Sequence, residues 1–183
     1  MKPFILIQGP VATRSGYGNH TRDLSTALIS TNKYDVQIIS LPWGVTPMDA
    51  LKPDDPEHVE IAKRIVRSQI NRQPDVFIQI SVPNEFNMGP NNQPMQVGKY
   101  NIGVTAGIET TAVSHDFIQG ANRMDLIITT SEHSKKSFVD TVYDAIDKET
   151  KEKTGALKLE KPIKILFEGV DLNTYKKVKT IQD

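Results

Sequence analysis

Phe4-Ile5-Leu6-Ile7-Gln8-Gly9, running on through Pro10-Val11-Ala12-Thr13-Arg14-Ser15 to Gly16-Tyr17-Gly18-Asn19-His20, is the stretch that decides the fold. Four consecutive apolar residues closed by Gln8 and Gly9 read as a short strand with both faces covered, not the alternating pattern of a half-solvated one. Beyond the glycines, Leu24, Ala27, Leu28 and Thr31 recur on one stripe, which predicts an amphipathic helix from Gly16 to Thr31. A buried strand, a glycine-rich turn and a helix form the opening of a βαβ unit.

Working outward, further β-rich runs lie near Tyr34–Leu41, Asp75–Ser81, Tyr100–Thr105, Asp125–Thr130 and Pro162–Phe167. Helical stripes fall between them. Ile61, Ile65, Val66 and Ile70 predict a helix from Glu57 to Asn71, and His115 to Arg123 forms a shorter one. Ser131 reads as the N-cap of a fourth helix whose apolar members are Phe138, Val142 and Ile146. The charged stretch from Asp144 to Lys161 reads as solvated helix, because Asp147 with Lys151 and Glu149 with Lys153 have favourable order and spacing. Strands alternating with helices, several of them continuously apolar, predict an α/β fold: a Rossmann-like, doubly wound parallel sheet.

The composition narrows the function. Lys plus Arg and Asp plus Glu both number 22 in 183 residues, so no basic field points to nucleic acid. The chain has no cysteine, which removes disulfides, thiolate metal sites and Cys nucleophiles and fits a reducing, cytoplasmic setting. The apolar run at Phe4–Ile7 is far too short for a transmembrane segment. His20, His58, His115 and His133 lack paired ligand spacing and no Asp-x-Asp occurs, so no metal is expected. No Gly-x-Ser-x-Gly elbow supports a hydrolase.

Parallel sheets place ligands beyond the carboxyl ends of their strands, which directs attention to the loops after Gln8, Leu41, Ser81 and Thr105. The first suits a phosphate, since Gly16 and Gly18 at a helix start let backbone N–H groups approach an anion, and it equally suits a tight turn that needs glycine for its backbone alone. It is neither a P-loop nor a dinucleotide fingerprint, since no Gly-Lys-Ser/Thr follows and Thr21 stands where a third glycine would be. Trp43, the only tryptophan, directly follows a strand, where the burial habit of Trp favours a core plug over a stacking platform. Ser81 to Pro90 forms a polar, Pro/Gly-rich loop. Glu109 brings a carboxylate to the ligand edge, where it could orient a sugar hydroxyl, stabilise developing positive charge or cap the helix containing His115.

Four segments in register resemble one family. Ser15-Gly16-Tyr17-Gly18-Asn19-His20 running into Leu24 and Leu28 resembles the glycine-rich loop and first helix of retaining family-four glycosyltransferases of the GT-B fold. Ile108-Glu109-Thr110-Thr111 resembles an acidic motif of a subgroup. Asp125 to Lys135 resembles their D-x-I-x-x-x-S-x-x-S-K segment, and Ile165 to Asp171 the Gly-Val-Asp close of their N-terminal domain. Many members carry a His where this chain offers Glu109.

The resemblance implies an N-terminal, acceptor-side domain over residues 1–170, with 171–183 beginning an interdomain linker. It implies transfer of a sugar from a UDP- or GDP-sugar to a glycan, lipid or protein acceptor with retention of configuration, and no tightly bound cofactor. Gly16, Tyr17 and Gly18 would face the donor diphosphate, Arg14, His20 and Thr110 the substrates, and Glu109 would be catalytic. A C-terminal donor-binding domain, in cis or in trans, is expected to complete the enzyme, this chain alone being incomplete for catalysis. The alternatives are a non-catalytic carbohydrate-binding or assembly module on the same fold, and a different Rossmann-like nucleotide enzyme, which the failed fingerprint disfavours.

Overall fold

A computed structural model describes residues 2–147 and 149–170 together with Leu172 and Tyr175. Strands β1 (Phe4–Gly9), β2 (Asp35–Ser40), β3 (Val76–Ile80), β4 (Tyr100–Thr105) and β5 (Leu126–Thr129) alternate with helices α1 (Gly16–Ser30), α2 (Pro56–Ala62), α3 (His115–Asn122) and α4 (Glu132–Asp140). The hairpin β6 (Val142–Ile146) and β7 (Lys153–Lys158) precedes the last strand, β8 (Ile163–Ile165). Six strands form one parallel sheet in the order β2-β1-β3-β4-β5-β8. The chain steps from β1 outward to β2 and then returns past β1 to β3, so the connections diverge between β1 and β3.

The continuous apolar strands have the two covered faces expected of them. On one face Ile5 and Ile7 of β1, with Ile78, Ile80 and Val104, pack under Leu24, Leu28 and Ile29 of α1 and Ile61 of α2. On the other, Phe4, Leu6 and Phe77 meet Val66, Ile70 and Val97. Farther along that second face, Ile127 packs with Ile118 and Met124 around α3, Phe138 of α4 and Phe86. This is the Rossmann-like, doubly wound architecture.

Three expected helices differ from the structure. The helix expected over Glu57–Asn71 stops at Ala62, capped at its start by Asp55. Edge strand β2 has outward-facing backbone groups, and Ile65 bridges to it: Ile38 N donates to Arg64 O at 2.9 Å and Val66 N to Ile38 O at 2.8 Å. Ile65 joins the core on one face of the sheet and Val66 that on the other, the alternation of extended chain.

The fourth helix also ends early, at Asp140, and the charged stretch expected to be helical is largely hairpin. Thr141, Val142 and Tyr143 are β-branched or aromatic and favour extended backbone. Thr141 Oγ1 donates to Ser137 O at 2.6 Å and accepts from Val113 N at 3.1 Å, while Tyr143 Oη donates to Val113 O at 2.5 Å. Those bonds set the exit direction. Lys153 pairs across the hairpin with Asp144 at 2.6 Å, and Asp147 accepts from the turn amides of Glu149 and Thr150 instead of supporting a helix. The expected linker, Asp171 included, falls almost entirely outside the described residues.

Among the described residues no helix is long and apolar enough to cross a membrane.

Candidate functional site at the sheet switch point

The glycine-rich loop folds back on itself before α1 begins. Thr13 Oγ1 donates to Pro10 O at 2.9 Å and shares a 2.8 Å hydrogen bond with Ser15 Oγ, which in turn accepts from Gly18 N at 3.0 Å as the N-cap. Arg22 ties the loop from below, its Nη1 donating to Val11 O at 2.7 Å and Thr13 O at 2.9 Å. Burial lowers the pKa of that guanidinium, with Asp23 opposing. The two glycines therefore differ in role. A Cβ on Gly18 would be driven into the Thr13 carbonyl, whereas a Cβ on Gly16 would meet nothing within 4 Å among the described residues. Gly18 closes the loop and Gly16 opens outward.

Gly16, Tyr17 and His20 line a cavity of about 260 Å³, walled opposite by Thr105 and Ala106 after β4 and by Glu168 after β8. The Tyr17 hydroxyl shares a 3.0 Å hydrogen bond with Thr105 Oγ1 and accepts from Ala106 N at 3.2 Å, pinning α1 to the end of β4. One helical turn later, His20 Nδ1 lies 3.0 Å from Glu168 Oε1. The opposite ring nitrogen, Nε2, is buried and has no partner among the described residues. A carboxylate on one nitrogen fixes the imidazole's orientation and leaves the other to bond with whatever fills the cavity.

A second cavity, about 220 Å³, adjoins it, lined by Pro10, Pro42, Trp43, Ser81, Val82 and Glu85 among others. Ile80, at the end of β3, lines both. Tyr17 of the first cavity stacks on Trp43 of the second, ring centroids 4.4 Å apart at 24°. Both lie at the carboxyl ends of β1 and β3, where the connections diverge. Trp43 is half-buried in this stack, so the core-plug expectation is corrected: Tyr17 rises from the helix start to cover it instead of the core receiving it.

Of the residues singled out in the sequence, Gly16, Tyr17 and His20 converge on the first cavity. Gly18 supports them from within. Arg14 faces away, bound to Asp49 through Nε at 2.7 Å and Nη2 at 2.8 Å, beside a separate exposed hollow lined by Ser15, Asn19 and Lys52. Thr110 Oγ1 donates to Ala112 O at 2.6 Å. Glu109 is exposed, with no hydrogen bond or ion pair among the described residues, and is not part of either cavity wall. Nor does it cap the helix at His115, since Ser114 Oγ accepts from Phe117 N at 3.3 Å there. Glu168, Ser81 and Glu85 also line the cavities: the first lies in the Ile165–Asp171 segment and the other two in the loop after β3, both singled out in the sequence, but strand order alone brings these side chains to the site. Among the described residues no group of three or more His, Asp or Glu side chains is placed to hold a metal ion.

Comparison with protein-family models, characterised proteins and solved structures finds no match to this chain.

Proposed function

We propose that this chain is the acceptor-side domain of a nucleotide-sugar-dependent glycosyltransferase, moving a sugar from a UDP- or GDP-sugar to an acceptor hydroxyl with retention of configuration. The observation that carries the reading is the first cavity at the switch point. There the open start of α1, at Gly16, meets an imidazole held by Glu168 with a nitrogen free for a ligand. A helix start stabilises the negative charge that builds on a departing diphosphate, and the unpaired His20 nitrogen accepts from a sugar hydroxyl in the neutral ring and donates to a phosphate oxygen in the protonated one. The order of the four sequence segments quoted above supports the same reading, and a C-terminal domain would supply the remaining donor contacts.

The test follows the Gly16 and Tyr17 amide resonances while UDP- and GDP-sugars are added, alongside a transfer assay with the chain joined to, or mixed with, a C-terminal donor domain. Saturable shifts at those amides and sugar transfer are expected. Silence at both amides together with no transfer from any nucleotide sugar overturns the proposal.

One observation favours the second reading, a non-catalytic carbohydrate-binding or assembly module: the carboxylate expected to act, Glu109, stands exposed and apart from both cavities. A transfer rate from the assembled enzyme decides between them, and Glu109→Gln then tests the part of this carboxylate. A direct role lowers kcat by about 10²–10⁴-fold with the melting temperature unchanged, because nothing in the fold holds this side chain. Unchanged kcat removes Glu109 from the chemistry.

A further inference from the structure

The second cavity has walls of two kinds. Pro10, Pro42, Val82 and Trp43 are apolar, and Ser81 and Glu85 form a polar edge. Ser81 is buried and its Oγ donates to Glu85 Oε2. That bond engages one carboxylate oxygen and leaves the other without a partner, and no Lys, Arg or His pairs with Glu85 among the described residues.

The backbone that carries this exposed side chain is well supported. Its turn, Pro83–Glu85, is fixed from below by Gln79 Nε2, which donates to Glu85 O at 3.0 Å, and from the side by Arg123, whose Nη2 donates to Asn84 O at 2.7 Å. α3 lies so close that a Cβ on Gly120 would collide with the Pro83 carbonyl. An unpaired acceptor on so rigid a turn is preorganised for donors supplied by a ligand.

We infer that this cavity is a saccharide subsite in which a pyranose ring lies against Trp43 and donates hydroxyl hydrogens to Glu85. This rests on the transfer reading and deepens it: among glycan, lipid and protein acceptors, it selects a glycan. A pyranose has an apolar C–H face and a rim of hydroxyl donors, which match the apolar walls and the carboxylate edge in turn. At about 220 Å³ the space is smaller than the roughly 300–1,000 Å³ of sites for drug-sized ligands, in keeping with a single ring. An ammonium ligand also suits a carboxylate beside an indole, but Ser81 already donates to this carboxylate and weakens its pull on a cation.

Trp43 is the only tryptophan, so its emission comes from the wall of this cavity, and Tyr17, stacked on it, couples the neighbouring cavity to the same signal. The probes are methyl glycosides of glucose, mannose, galactose and N-acetylglucosamine and their short oligomers, with cyclohexanol, choline and UDP as comparisons. At least one saccharide is expected to change the emission saturably. Glu85→Gln should weaken it about tenfold or more at an unchanged melting temperature, since it exchanges a charged acceptor for a neutral one. Trp43→Ala, read by saccharide-observed saturation-transfer NMR, should lose binding, and Trp43→Phe should restore part of it.

A response to choline but to no saccharide overturns the inference, as does saccharide binding that folded Glu85→Gln leaves intact, whereas a UDP response can arrive through Tyr17 from the first cavity. If no saccharide binds while the Gly16 amide responds to a nucleotide sugar, this subsite fails and the transfer reading stands. Saccharide binding at Trp43 without any response at Gly16 and without transfer leaves the subsite in place and removes the transferase.

Discussion

Gly16 and Gly18 stand two residues apart at the head of α1 and answer to different partners. Gly18 is enclosed by its own loop, so Gly18→Ala must push the Thr13 carbonyl aside; a cost of about 1–3 kcal/mol is expected, lowering the melting temperature by several degrees. Gly16 has no neighbour to offend. Gly16→Val is therefore expected to leave the circular dichroism spectrum and fold intact while blunting the response to nucleotide sugars, because the new branch occupies the space a phosphate would enter. A folded Gly16→Val protein that binds nucleotide sugar like the wild type would reduce this glycine to a turn residue. The sequence pattern marked both glycines for one role. Only the three-dimensional position of Thr13 separates them, and no spacing rule carries that information.

Among the elements, the opening ends of β1 and β3 are fastened by a single carboxylate. Asp75 accepts from Lys99 Nζ at 2.7 Å, from Phe4 N at 2.8 Å and from Arg72 Nη2 at 2.7 Å. The Lys99 hydrogen bond, then that of the Phe4 amide, hold its pKa down to about 2 from an ordinary 3.8. A depressed folded value means the ionised form is the one the fold prefers. Its stabilisation is present above pH ~4 and fades as the pH falls through about 2. Asp75→Asn should thus melt lower than wild type at neutral pH, and the gap should close in acid. A gap that persists undiminished at pH ~2 would assign the loss to packing.

Elements were legible in the sequence to the degree that local pattern governed them. The six strands of the main sheet and α1 follow from apolar runs and a stripe, because burial on two faces leaves little else for such residues to do. α2 was overextended because Ile61, Ile65, Val66 and Ile70 satisfy a helical period while serving both faces of the sheet. The hairpin was hidden because its charges satisfy helical spacing, and the bonds from Thr141 and Tyr143 to Val113 that redirect the chain are tertiary. The site divides in the same way. Gly16, Tyr17 and His20 lie on one local segment and could be read together, whereas Glu168, Ser81 and Glu85 join them only through strand order.

At the scale of the whole molecule, the transfer reading assigns the larger part of donor binding to a second domain. This chain alone is therefore expected to turn over nucleotide sugar negligibly, both to acceptor and to water, when release of UDP or GDP is followed. A robust rate from the isolated chain would show that the cavity at Gly16 and His20 suffices for catalysis and would overturn that division of labour. The contact between His20 and Glu168 also has a bearing on biosynthesis. Translation delivers the imidazole with α1 and its carboxylate only after β8, so a growing polypeptide has an unfinished pocket until both segments have been made. Arrested or clipped products lacking β8 and Glu168 would retain the glycine-rich loop but not the residue that orients His20, and ligand occupancy would thereby distinguish them from products that contain β8.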